Sequence, residues 1–172
     1  MKPSPDLEKF VDYGIKAPPG HNTQPWKFVI SNNEIQIHPD FDRKLPIVDT
    51  DNHALYISLG CAVENIILAA KNDGYETELK IIKDLKKVAF ISIKLIHNST
   101  IQKDNLFDYI EKRQVTRNEY DKTDIPLEDL KQLIGSTKIN NIQVKSFTSP
   151  EEIYRLKSFI IDGSNLQFQN NA

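Results

Sequence analysis

The sequence predicts an α+β fold, a mainly antiparallel sheet packed against one long central helix. Three observations lead there. Between Asn52 and Asp73, the residues Leu55, Leu59, Ala62, Val63, Ile66 and Ala70 recur at steps of three and four. That spacing lines one face of a helix. On either side of this stretch lie two pairs of short segments with alternating or largely apolar residues, each pair joined by a polar turn, as in antiparallel hairpins. Ahead of both stands Ala17-Pro18-Pro19-Gly20-His21-Asn22-Thr23-Gln24-Pro25-Trp26-Lys27-Phe28, a loop that no helix can absorb. Proline fixes φ and lacks an N–H, and glycine opens backbone angles closed to other residues.

The elements follow in order. Asp6 to Lys16 reads as a first helix, with Leu7, Phe10, Val11 and Ile15 near helical spacing and the prolines at 18 and 19 ending it. Lys27 to Ser31 and Glu34 to His38 are two strands turning at Asn32-Asn33. Asp40 to Asp51 is a charged loop in which Thr50 or Asp51 is placed to cap the long helix. That helix runs from Asn52 to Asp73, with Gly60 and Ala62 suited to close packing and Gly74 as its stop. Glu64-Asn65 interrupts its apolar run and reads either as a capping or helix–helix contact or as a cofactor contact. Glu76 to Ile82 and Val88 to Leu95 are two further strands around the turn Asp84-Leu85-Lys86-Lys87. A short helix is expected over Asp104 to Lys112, another over Ile125 to Ile134, and a strand over Ile142 to Phe147. Ser149-Pro150-Glu151-Glu152 forms a capping box that opens a last helix with Ile153, Leu156, Phe159 and Ile160. Thr100 to Asn105 is the best linker candidate.

Composition excludes several classes. The chain has 172 residues, enough for one domain with a core, and a formal net charge of −2 from 22 basic and 24 acidic side chains. No basic surplus exists to neutralise a nucleic-acid backbone. The one cysteine, Cys61, rules out an internal disulfide, and its apolar neighbours suit packing. No His or Cys stands at metal-ligand spacing to another, so no metal site is expected, and His38 at a strand end reads as a surface or satisfied residue. The opening residues Met1 to Asp6 are polar, and the longest uncharged apolar run falls far short of a membrane span. The expectation is a cytoplasmic protein with no membrane and no nucleic-acid partner.

Two stretches carry chemistry. In the proline loop, Asn22 and Gln24 each offer a carbonyl acceptor and an amide donor pair. That mixed pattern suits a flat heterocycle such as the pyrimidine edge of a flavin or a nucleobase. Gly20 lets the backbone approach such a ring, and Trp26 either walls the pocket or anchors the loop in the core. The second stretch, Ile110 to Tyr120, crowds Lys112, Arg113, Thr116 and Arg117 at a helix end. Arginine's planar fork matches phosphate oxygens, so the stretch reads either as a phosphate clamp or as a solvated basic face paired with Glu111 and Glu119.

The loop string resembles the Ala-Pro-Ser-x-x-Asn-x-Gln-Pro-Trp-x-Phe loop of the nitroreductase family of FMN-dependent oxidoreductases. The Gly-His-Asn-Thr form looks most like the branch in which two nitroreductase-like halves are fused. Arg43-Lys44-Leu45 with the following Asp49 is similar to a further segment of that branch. The family holds the FMN phosphate with an Arg-Arg-Ser-x-Arg segment. Arg113 falls on its first arginine and Arg117 on its last, while Gln114 replaces the second, Val115 stands at the hydroxyl position and Thr116 carries the hydroxyl one place late. The resemblance implies a nitroreductase-like fold, with residues 1–99 as a first half and 100–172 as the start of an incomplete second half. It implies a flavin pocket lined by Pro18, Pro19, Gly20, Asn22 and Gln24, with Arg113, Gln114 and Arg117 toward the phosphate. It also implies NAD(P)H as electron donor and a small-molecule acceptor of nitro or quinone type. An unfinished second half would expose apolar surface from Ile153, Phe159 and Ile160, so the expectation is a homodimer with weak or absent FMN binding. Members of this branch run to roughly twice this length, so the expectation is a truncated piece, a proteolysed product or the product of a shortened gene. No catalytic residue is assigned.

Two function classes therefore stand: an FMN-dependent oxidoreductase or part of one, and a non-catalytic flavin-binding, flavin-sequestering or interaction protein. No Gly-x-Gly-x-x-Gly turn is present to suggest a Rossmann nicotinamide site, and nothing arranges Ser, His and Asp as a nucleophile elbow.

Overall fold

The computed structural model describes residues 5–121, 123–136 and 142–169. The first four residues of the polar opening Met1 to Asp6, and the terminal Asn170–Ala172, lie outside the described residues. The chain divides into two compact units, Met1–Gln114 and Val115–Ala172.

The first unit is the α+β body. Helix α1 spans Leu7–Gly14 and is capped by Asp6, whose carboxylate accepts the Lys9 N–H at 3.1 Å. Strands β1 (Trp26–Ser31) and β2 (Glu34–Pro39) form a hairpin, and its turn residue Asn32 takes φ 50°, a left-handed value that asparagine tolerates. The long helix α2 spans His53–Asn72, and β3 (Tyr75–Lys83) and β4 (Ala89–His97) complete an antiparallel sheet in the order β1-β2-β4-β3. Register fixes which side chains meet the helices. Phe28, Ile37, Ile91 and Ile81 stand in one row across the sheet, and Ile30, Ile35, Ile93 and Leu79 in the next. Ile35, Ile37 and Ile93 are fully buried beneath the helices, with Phe10, Leu59 and Ile66 facing them. Burying each such side chain contributes roughly 1.5–3 kcal/mol. Toward the edge strand β3 the cover ends, and Leu79 and Ile81 of the same rows are exposed.

The apolar stripe of α2 is the buried stripe: Leu55, Leu59, Ala62, Val63, Ile66 and Ala70 all lie in the core. This helix is long and apolar enough to cross a membrane, yet that stripe packs on α1 and the sheet. Asn65 makes the helix–helix contact of the two readings weighed, donating to the Tyr13 carbonyl at 3.1 Å, while Glu64 is exposed. Close helix approach runs through Gly14 rather than Gly60. A Cβ on Gly14 would meet Ile66 at 3.0 Å, whereas one on Gly60 would meet nothing within 4 Å.

The expected cap of α2 also differs. Neither Thr50 nor Asp51 carries it, although Asp51 accepts the His53 N–H at 3.1 Å. The buried carboxylate of Asp49 accepts from Ala54 N at 2.8 Å and Leu55 N at 2.9 Å, because Asn52 at φ 61° turns the chain back over the helix end. After β4, the expected helix at Asp104–Lys112 is a 3-10 turn, Asn105–Tyr109, which sets Phe107 against Tyr13 at 5.0 Å and buries Ile110.

The second unit holds α3 (Leu127–Gly135) and α4 (Pro150–Gln169). Half of the capping box forms: Ser149 Oγ accepts the Glu152 N–H at 3.2 Å, and the same hydroxyl, rather than the Ser149 backbone N–H, donates to the Glu152 carboxylate at 3.0 Å. The strand expected at Ile142–Phe147 does not form. Its alternation finds no ladder partner among the described residues, and an unpaired strand has no hydrogen bonds to hold it. Ile153, Phe159 and Ile160 on α4 are exposed.

Candidate functional site

The proline loop leaves α1 at Ala17 and enters β1 at Trp26. Pro18 and Pro19 prevent helical continuation, and Gly20–Asn22 makes a single 3-10 turn. His21, Asn22 and Gln24 take φ values of 50°, 56° and 49°. Left-handed backbone costs L-residues roughly 1–2 kcal/mol each, least for asparagine. Three such residues in one short loop mark stored strain, which persists only where surrounding contacts hold it.

Those contacts come from three directions. On the α2 side, the buried Ser58 hydroxyl accepts the Gly20 N–H at 3.3 Å and donates to the Ala54 carbonyl at 2.8 Å. Within the loop, Asn22 N reaches Pro19 O at 3.2 Å, Thr23 N reaches Gly20 O at 3.1 Å, and Thr23 Oγ1 donates to the same Gly20 carbonyl at 3.0 Å. On the β2 side, Asp40 N donates to Pro25 O at 2.9 Å and Arg43 Nη1 donates to Thr23 O at 3.3 Å. Trp26 is buried beside Phe28, so it anchors the loop rather than walling an open pocket.

Asp40 is the electrostatic centre of this edge. Its side chain is only 9% exposed, with Lys27 Nζ at 2.7 Å and Arg43 Nε at 3.5 Å. The Lys27 hydrogen bond, then the Asp42 backbone N–H and the two nearby cations, hold the Asp40 carboxyl below the ordinary value and outweigh its desolvation.

The site residues expected from sequence fall as follows. Pro18, Pro19, Gly20, Asn22 and Gln24 share the loop, and the Asn22 and Gln24 side chains are exposed and make no side-chain hydrogen bond among the described residues. Arg113 reaches the foot of the same loop, where Nη2 donates to Lys16 O at 3.0 Å and Lys16 pairs with Glu111. Gln114 follows it, exposed, and Arg117 belongs to the second unit. Asp40 and Ser58 were not among the residues expected from sequence, and Arg43 entered only through the Arg-x-Leu resemblance, with no role attached. The spacing Asp40–Arg43 in the charged loop was the available signal for Asp40 and Arg43, and a serine on the stripe side of α2 for Ser58.

Beneath the loop lies a crevice lined by Gly20, Thr23, Arg43, Leu45, Asp49 and Ser58. Its volume of about 10 Å³ admits one water and no ring. The loop therefore offers one wall to a planar ligand, by its exposed amides, and does not enclose one. No cluster of metal-ligating side chains occurs among the described residues.

No family model matches the sequence. The chain is similar to two proteins of Mycobacterium tuberculosis, from strains CDC 1551 and H37Rv, provisionally named NAD(P)H nitroreductases. Each is 28% identical over 85 residues, which is 48% of this chain. The matched stretch spans 25% of the length of either relative. The likeness agrees with the α+β body, whose antiparallel sheet and long central helix are compatible with a nitroreductase-like fold.

Proposed function

We propose that this chain carries the flavin-reading loop of a nitroreductase-like oxidoreductase. The observation that bears most weight is the loop itself: two exposed amides, Asn22 and Gln24, held at positive φ by contacts to α2 and to the turn after β2. Each amide offers both a donor and an acceptor to the edge of an isoalloxazine ring. The similarity to proteins named NAD(P)H nitroreductases supports the same reading.

In this reading FMN, when bound, supplies the redox chemistry between NAD(P)H and a nitro or quinone-type acceptor. The chain's own residues bind and orient. Asn22 and Gln24 read the ring edge, Pro18, Pro19 and Gly20 shape the wall, and Arg113 and Gln114 of the same unit face the phosphate. Residues 1–99 act as a first nitroreductase-like half and 100–172 begin a second. The exposed amides offer one wall and do not enclose a ring, so in this reading the other wall comes from a second copy in a cytoplasmic homodimer.

The exposed amides of Asn22 and Gln24 also fit a second reading, a flavin-binding or flavin-sequestering protein without turnover. Titration with FMN, followed by quenching of flavin fluorescence, tests both. Saturable quenching that weakens about tenfold in Asn22→Ala and Gln24→Ala is expected. Variants that bind as the parent does remove the loop from the site. Bound FMN that NAD(P)H fails to reduce selects the non-catalytic reading.

A further inference from the structure

We propose that Asp40 and Arg43 form a latch that sets the backbone pose of the loop, so that they are positioning residues for the ligand the loop reads. Asp40 grips the loop twice. Its own N–H donates to Pro25 O at 2.9 Å, and its carboxylate holds Arg43, whose Nη1 donates to Thr23 O at 3.3 Å. The carboxylate is itself fixed, by Lys27 Nζ from β1 at 2.7 Å and by the Asp42 N–H at 3.2 Å. Asp42 adds a weaker contact of 3.5 Å to the same lysine.

The placement explains why a strained segment keeps its shape. His21, Asn22 and Gln24 occupy a minority region of backbone space for L-residues, and the residue between the last two, Thr23, has its carbonyl held by Arg43. Ser58 holds the entry of the loop at Gly20, while Arg43 and Asp40 hold its exit. Arg43 is 55% exposed at its side chain, so it fills no core space, and its contacts run to the loop and to Asp40. Its removal therefore acts on the loop before it acts on the fold.

Only the nature of the ligand rests on the flavin reading, and amide hydrogen exchange on the flavin-free chain tests the latch separately. In Arg43→Ala, the Asn22 and Thr23 amides exchange about tenfold faster or more, while the sheet amides of Ile37 and Ile93 stay within about twofold of the parent. Asp40→Asn gives the same local acceleration, because Arg43 loses its anchor. Arg43→Lys, which keeps the charge without the fork, falls between Arg43→Ala and the parent. Loop amides within about twofold of the parent in Arg43→Ala overturn the proposal, as does acceleration spread evenly over loop and sheet. FMN titration of the same variants separates the two ideas. A parent that never binds FMN, with loop exchange still accelerated in Arg43→Ala, retires the flavin reading and leaves the latch standing.

Discussion

Replacing Gly14 by alanine sets two opposed effects against each other. Gly14 is the last residue of α1, buried where that helix crosses α2. Alanine there gains up to about 0.5–1 kcal/mol from reduced chain freedom in the unfolded state. Against this, the new Cβ stands 3.0 Å from both Cγ1 and Cδ1 of Ile66 and 3.6 Å from the Ala62 carbonyl oxygen. Carbon atoms prefer roughly 3.5–4.0 Å, so the overlap is about half an ångström or more. Ile66 is fully buried and has no space to retreat into. Overpacking of this kind costs about 1–3 kcal/mol, which wins, and the net loss is about 1 kcal/mol. Gly60→Ala has the opposite sign. Its Cβ meets nothing within 4 Å on the exposed side of α2, so a gain of about 0.5–1 kcal/mol is expected. Trp26, the one tryptophan and a buried one, reports urea unfolding of both variants. Ile66→Val removes Cδ1 and relieves part of the clash, so its cost is smaller in the Gly14→Ala background than alone. Gly14→Ala at or above parental stability, or no coupling to Ile66→Val, refutes the argument that this glycine sets the distance between the two helices.

Other outcomes follow from the same contacts. Asp49→Ala strips two N–H groups at the start of α2 of their acceptor and costs about 1–2 kcal/mol in urea unfolding, more than Asp51→Ala. Asp40 and Glu34 both have folded-state pKa values below the ordinary carboxylate value, Glu34 through hydrogen bonds from Gln36 and Ser92. Their stabilisation is complete above the unfolded value near about 4 and is lost as pH falls through the lower folded values. Melting curves of Asp40→Asn should accordingly fall less steeply than those of the parent below about pH 4. If Arg113 faces the FMN phosphate, FMN binds about tenfold or more tightly than riboflavin, and Arg113→Ala narrows that ratio. Equal affinities measured by fluorescence quenching discard the phosphate assignment.

Local pattern by itself determined most of the first unit. The stripe from Leu55 to Ala70 fixed α2 and its buried face, because helical periodicity is a property of consecutive residues. Alternation and the Asn32-Asn33 and Asp84–Lys87 turns fixed the sheet's hairpins for the same reason. The string from Ala17 to Phe28 marked the candidate loop, and its amides were legible as donor–acceptor pairs of the kind proposed to read a planar ring. Tertiary structure decided what depends on residues distant in sequence. Asp49 took the cap of α2 from Asp51 because a left-handed Asn52 folded the chain back. Gly14, rather than Gly60, became the crossing point because Ile66 lies opposite it. The alternation at 142–147 stayed irregular because a strand needs a neighbour that no local pattern supplies. The pose of the site loop was decided in the same way: its strained residues are held by Ser58, Asp40 and Arg43, from elements that meet the loop only in the folded chain.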